Sequence, residues 1–201
     1  MRTLLILAAN PKGTERLRLD EEVKKIEQGL ERAKRRDQFK LVVKWAVTDD
    51  DLRRAMLDNE PEFVHFSGQG GGSQGLAFVD SQGRLLVISG DSLARLFELC
   101  ADHVRCVILN ACFSEVQAKV ISRHIEIVVG MSQDIGEEAS IKFSEGFNMT
   151  PWGRVGPPRR RSSSVGVRST CGASRSTLSR SSCETLKSEG SQGRPPRVTA
   201  R

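Results

Sequence analysis

Short apolar runs alternate with helical stripes from the first residue onward, the pattern of a parallel sheet covered by helices on both faces. Residues 3–9 read as a buried strand. Apolar side chains then fall at Leu19, Val23, Ile26, Leu30 and Ala33, one stripe of a helix whose other face is charged. Residues 39–47 predict a second strand, and Thr48 with Asp51 three positions on has the form of a capped helix start, stopped by Asn59 and Pro61. Residues 62–67 form a third strand, followed by the glycine-rich run Gly68-Gln69-Gly70-Gly71-Gly72-Ser73-Gln74-Gly75. Residues 76–79 and 84–88 predict a β-hairpin. A helix carrying Leu93, Leu96, Phe97 and Cys100 leads to a fourth core strand at 104–109. A helix at 114–124, a fifth strand at 125–129 and a helix at 134–147 complete the pattern. The expected class is α/β: a doubly wound, mostly parallel sheet with right-handed crossovers and an inserted hairpin.

From Thr150 the pattern stops. Residues 150–201 hold 11 serines and ten arginines with few large apolar side chains, so no segment there buries enough surface to offset its ordering entropy. A domain at 1–149 and a disordered Arg/Ser/Pro/Gly-rich tail at 150–201 are therefore expected. So abrupt a change also has the form of a shifted reading frame. Reading the codons of residues 148–157 two bases later permits Tyr-Asp-Ala-Leu-Gly-Ala-Gly-Arg without a stop, a phrase that continues the preceding helix. On this reading the domain is truncated and the Arg159-Arg160-Arg161 run has no evolved role.

The formal charge of +6 belongs to the tail, because residues 1–149 carry 20 Lys/Arg against 23 Asp/Glu. Nucleic acid is thus not an expected partner. Five cysteines, none in a CxxC pair or at metal-ligand spacing from histidine, fit reduced thiols in the cytoplasm and give no metal site. The apolar run at 4–9 is too short to span a membrane.

Chemistry in an open parallel sheet gathers beyond the carboxyl ends of its strands. Two exits qualify: His65-Phe66-Ser67-Gly68-Gln69-Gly70 and Leu109-Asn110-Ala111-Cys112-Phe113-Ser114. Cys112 precedes a helix whose Ser114 and Gln117 have capping-box spacing, and a helix N-terminus favours a thiolate. Spacing alone still favours a buried packing cysteine at 112, as it does at Cys100 and Cys106. The glycine-rich run lacks a Gly-Lys-Ser/Thr ending and precedes a strand, so it reads as a flexible site loop; no cofactor is expected.

The two exit phrases together resemble the signature of CHAT domains, relatives of caspases and separase. Ile6-Leu7-Ala8-Ala9-Asn10-Pro11, Leu17-Arg18-Leu19-Asp20-Glu21-Glu22 and Gly130-Met131-Ser132-Gln133 are similar to the bacterial, largely cyanobacterial, branch. The resemblance implies a caspase-like fold over 1–149, a peptide or protein substrate, and Cys112 as nucleophile. Backbone N–H groups near Gly70 and Cys112 would hold the oxyanion.

In that family the first phrase ends in His-Gly, and here the histidine position is Gln69. A glutamine amide has no useful basicity near neutral pH. His65 lies four residues upstream, roughly 13 Å at ~3.3 Å per residue, and reads as a core residue. His103 and His124 precede their strands, at the opposite sheet edge. The expectation is a cysteine-peptidase homologue that is inactive or impaired, with a non-catalytic protein-interaction module in a signalling or conflict system as the alternative. The substrate preference and oligomeric state are left unassigned. Sequencing the source gene across codon 148 is expected to reveal an insertion or deletion relative to an open frame encoding Tyr-Asp-Ala-Leu; an unshifted frame in independent isolates would remove the frameshift reading.

Overall fold

Alternation along the first strand sorts the core into two layers. In β1 (Arg2–Ala8), Leu5 and Leu7 face one side and Leu4 and Ile6 the other, all fully buried. The computed structural model describes residues 1–33, 36–149 and 166–169. After β1 come α1 (Leu19–Arg32), β2 (Phe39–Trp45), α2 (Asp49–Asn59), β3 (Phe63–Ser67) and the hairpin strands β4 (Leu76–Val79) and β5 (Leu85–Ile88). There follow α3 (Gly90–Leu99), β6 (Cys106–Asn110), α4 (Glu115–Ile121), β7 (Ile127–Gly130), α5 (Glu137–Met149) and β8 (Gly166–Ser169). The main sheet has the order β2-β1-β3-β6-β7-β8, parallel throughout, and β4 and β5 pair antiparallel apart from it.

The expected α/β class, five core strands and inserted hairpin are all present. The expected tail disorder lies outside the described residues, except that Gly166–Ser169 pair with β7. β2 departs from the expected buried strand: among the described residues it pairs only with β1, and as an edge strand it exposes Lys40, Lys44 and Trp45. Lysines on an edge oppose strand addition by another chain.

One core layer packs Leu5, Leu7, Val64, Phe66, Val107 and Leu109 against α2, α3, α4 and the hairpin. The other packs Leu4, Ile6, Phe63 and Ile108 against Val23, Ile26 and Leu30 of α1, with Phe143 of α5 alongside. The Thr48–Asp51 capping box forms as expected, with Thr48 Oγ1 accepting from the Asp51 N–H at 3.1 Å. The Ser114–Gln117 box does not. Ser114 Oγ donates to the Leu109 carbonyl and accepts from the Met131 N–H, and Gln117 Nε2 donates to the Gly72 carbonyl at 2.6 Å. These bonds join β6, β7 and the glycine-rich loop instead of capping α4.

The loop is also less free than its composition implies. Gly71 N–H donates to the Gly75 carbonyl at 2.8 Å, Gln74 N–H to Gly71 at 3.1 Å, and Gly70 bridges to Leu76. Gly70 lies so close to the β6 exit that a Cβ there would stand 1.8 Å from the Cys112 carbonyl oxygen. Gly70→Ala is therefore expected to lower stability by about 1–3 kcal/mol, the usual cost of overpacking. An unchanged melting temperature would contradict this close approach.

Candidate active site

Strand register sets the site. Ser67 of β3 pairs with Asn110 of β6, and two residues beyond each stand Gln69 and Cys112. Side-chain alternation carries Phe63, His65 and Ser67, and likewise Cys106, Ile108 and Asn110, to the α1 face of the sheet. The polar ends of both series meet one carboxylate there. Glu22 Oε1 accepts from His65 Nε2 at 2.8 Å, Asn110 Nδ2 at 2.7 Å and Ser144 Oγ at 2.7 Å, and Glu22 Oε2 accepts from Ser67 Oγ. Burial pushes the Glu22 carboxyl up, but the bonds from His65, Ser144 and Ser67 outweigh it and hold the group below the ordinary range.

Glu22 was not singled out from the sequence, which assigned the charged residues of α1 to the solvent face. It is 3% exposed. The missed signal is its spacing, three residues after Leu19 and four before Ile26, on the apolar stripe itself. His65 is fully buried, in keeping with a core role; its proton-bearing Nε2 faces Glu22, away from any reacting group.

Above this cluster opens a cleft of about 550 Å³. Its lining includes Glu15 and Arg18 from the segment before α1, Gln69 and Cys112 from the strand exits, and Asp134 and Glu137 from the entrance of α5. Glu137 accepts from Arg18 Nε at 2.8 Å, which ties the starts of α1 and α5 together. With Glu22, the lining holds four carboxylates against the one guanidinium of Arg18, so the cleft is acidic.

Cys112 emerges on a sharp strand-to-helix turn, with Phe113 in the left-handed region at φ 54°. The thiol is half-buried and donates to Asp134 Oδ1 at 2.9 Å. Burial, then the Asp134 carboxylate, pushes the Cys112 thiol above its ordinary value, the reverse of the lowering expected from a helix N-terminus. Gln69 turns elsewhere: its Nε2 donates to the Glu15 carbonyl at 2.7 Å. Among the described residues no hydrogen bond joins the Gln69 and Cys112 side chains. The register thus brings positions 69, 70 and 112 together, but no imidazole with them. Cys100 and Cys106 are buried packing residues, and burial pushes the Cys106 thiol up to about 12. Among the described residues no three metal-ligating side chains cluster, and no helix is long and apolar enough to cross a membrane.

The Asp134 contact has a measurable consequence. Alkylation of Cys112 by iodoacetamide, followed by peptide mass spectrometry, should show a midpoint above the ordinary thiol value of about 8.5. Asp134→Asn should lower it, even with Glu15, Glu22, Arg18 and Glu137 unchanged around the cleft. An unaltered midpoint would mean that the carboxylate does not hold the proton on sulfur.

No family model matches the chain. A curated protein of Gillisia limnaea named "Probable protease" is 24% identical over 152 residues, which cover 75% of this chain and 27% of that protein. The chain thus spans about a quarter of that relative's length. Among solved structures, a secreted C11 cysteine protease from Bacteroides thetaiotaomicron, in complex with an irreversible peptide inhibitor, superposes with a TM-score of 0.55 at 13% identity. The match covers 75% of this chain and 58% of that one. By its sheet, its flanking helices and this likeness, the chain carries the caspase-like α/β fold.

Proposed function

We propose that this chain is a CHAT-type homologue of caspase-like cysteine peptidases whose hydrolytic chemistry is lost or severely impaired. The observation that carries the reading is the pair of bonds at the strand exits. The Cys112 thiol donates to a carboxylate, and Gln69, at the position where the resembled family has histidine, donates to a backbone carbonyl. In an intact relative an imidazole at position 69 takes the thiol proton as sulfur attacks the scissile carbonyl. Backbone N–H groups near positions 70 and 112 hold the oxyanion, and the imidazole returns the proton to the leaving amine. An imidazole here has an orienting acceptor ready in the Glu15 carbonyl, which Gln69 already uses. Glutamine neither accepts nor returns the proton, and losing a general base costs about 10²- to 10⁴-fold.

A second reading, a pseudoprotease that holds peptide segments without cutting them, is favoured by the cleft, which stays open and acidic while holding no imidazole. The two readings separate in one assay series. The chain as it stands is expected to leave a panel of fluorogenic peptides uncut. Gln69→His is expected to restore thiol-dependent cleavage that Cys112→Ala abolishes. Robust cleavage by the unaltered chain would contradict the impairment. Saturable peptide binding by it, with no cleavage by Gln69→His, would favour the interaction module.

A further inference from the structure

We propose that Glu22 is the positioning residue of this site: its buried carboxylate holds the exits of β3 and β6 in the register that sets position 69 against Cys112. The inference rests on the peptidase-homologue reading for its functional meaning and on the hydrogen bonds for its physical content.

The four donors to Glu22 come from three elements. His65 and Ser67 belong to β3, Asn110 to β6 and Ser144 to α5. Ser67 and Asn110 are the last residues of their strands and are directly paired. Each is separated from a site residue by a single position, Gly68 and Ala111. Past these last rungs the two exits are joined by the Gly68 N–H bond to the Asn110 carbonyl at 3.3 Å, by the packing of Gly70 on the Cys112 carbonyl and, farther out, by the Gln117 Nε2 bond to the Gly72 carbonyl. At the rungs themselves, the Glu22 side chain ties both strand ends to α1 and α5 just before they leave the sheet.

Its chemistry suits that task. Ser67, Asn110 and Ser144 each lose water on burial, and all three donate a hydrogen bond to one ionised acceptor, a stronger partner than a neutral one. A glutamine at 22 offers one acceptor oxygen and turns an N–H₂ group toward donors. An aspartate keeps the charge one methylene short. Because Ser144 is on α5, the same carboxylate also couples the α5 side of the cleft, where Asp134 and Glu137 lie, to the strand exits.

The test uses residue-resolved hydrogen exchange on the full chain. In Glu22→Gln, amides at 68–70 and 111–113 should exchange about tenfold faster or more, while β1 amides such as Leu5 and Ile6 stay near their original rates. Ser67→Ala, a milder change that keeps the rest of the cluster, should release 68–70 but not 111–113. Acceleration of the whole sheet by one factor in both variants, or no change at the exits, would overturn the proposal and leave Glu22 a residue of general stability. In the Gln69→His background, Glu22→Gln should lower kcat about tenfold or more with KM nearly kept, the mark of lost alignment; an unchanged kcat would also overturn it. Hydrogen exchange needs no turnover, so an inactive Gln69→His chain would count against the peptidase reading while the exchange result still decides this one.

Discussion

The structure depends on one buried negative charge. A carboxylate taken out of water is costly unless hydrogen bonds replace its hydration, and Glu22 receives four, from two strands and a helix. Buried charges of this kind contribute little net stability compared with a well-packed apolar group. What Glu22 contributes is geometry, because its four donors are satisfied together only when β3, β6, α1 and α5 stand in this arrangement.

The candidate site inherits its layout from that arrangement. Extending the Ser67–Asn110 pairing by two residues brings position 69 beside Cys112, and the close packing of Gly70 on the Cys112 carbonyl preserves the approach. Within this frame no imidazole stands beside the thiol. The thiol faces a carboxylate that favours its protonated form, and the neighbouring amide is occupied with the Glu15 carbonyl. On the proposed reading, scaffold and reactivity have different origins: backbone register and a buried acid set the first, and the side chain at position 69 governs the second.

Much of the fold was legible in the sequence because strands buried on both faces are mostly apolar and short, as residues 3–9, 62–67 and 104–109 are, between turn residues and helical stripes. The capping box at Thr48 was legible for the same kind of reason, as local spacing and local hydrogen bonds coincide. At Ser114 they do not: a buried hydroxyl on a β6-to-α4 turn finds the Leu109 carbonyl and the Met131 N–H before it finds its own helix. The pairing of positions 69 and 112 was visible through their motif. Glu22 was hidden, because a glutamate within Asp20-Glu21-Glu22 looks solvated until its place on the stripe of Leu19 and Ile26 is counted. The Asp134 contact had no local signal at all, as it joins residues 22 positions apart with α4 and β7 between them.

If the buried charge on Glu22 holds the site frame, the group must be ionised under conditions where exposed glutamates have begun to take up protons. A carbon-detected NMR titration of the glutamate side-chain carboxyls in the full chain measures this directly. The Glu22 resonance is predicted to keep the shift of a carboxylate as pH falls through the ordinary range near 4.5, changing only below it, together with loss of the native fold. A Glu22 carboxyl that titrates above that range while the protein remains folded would contradict the account.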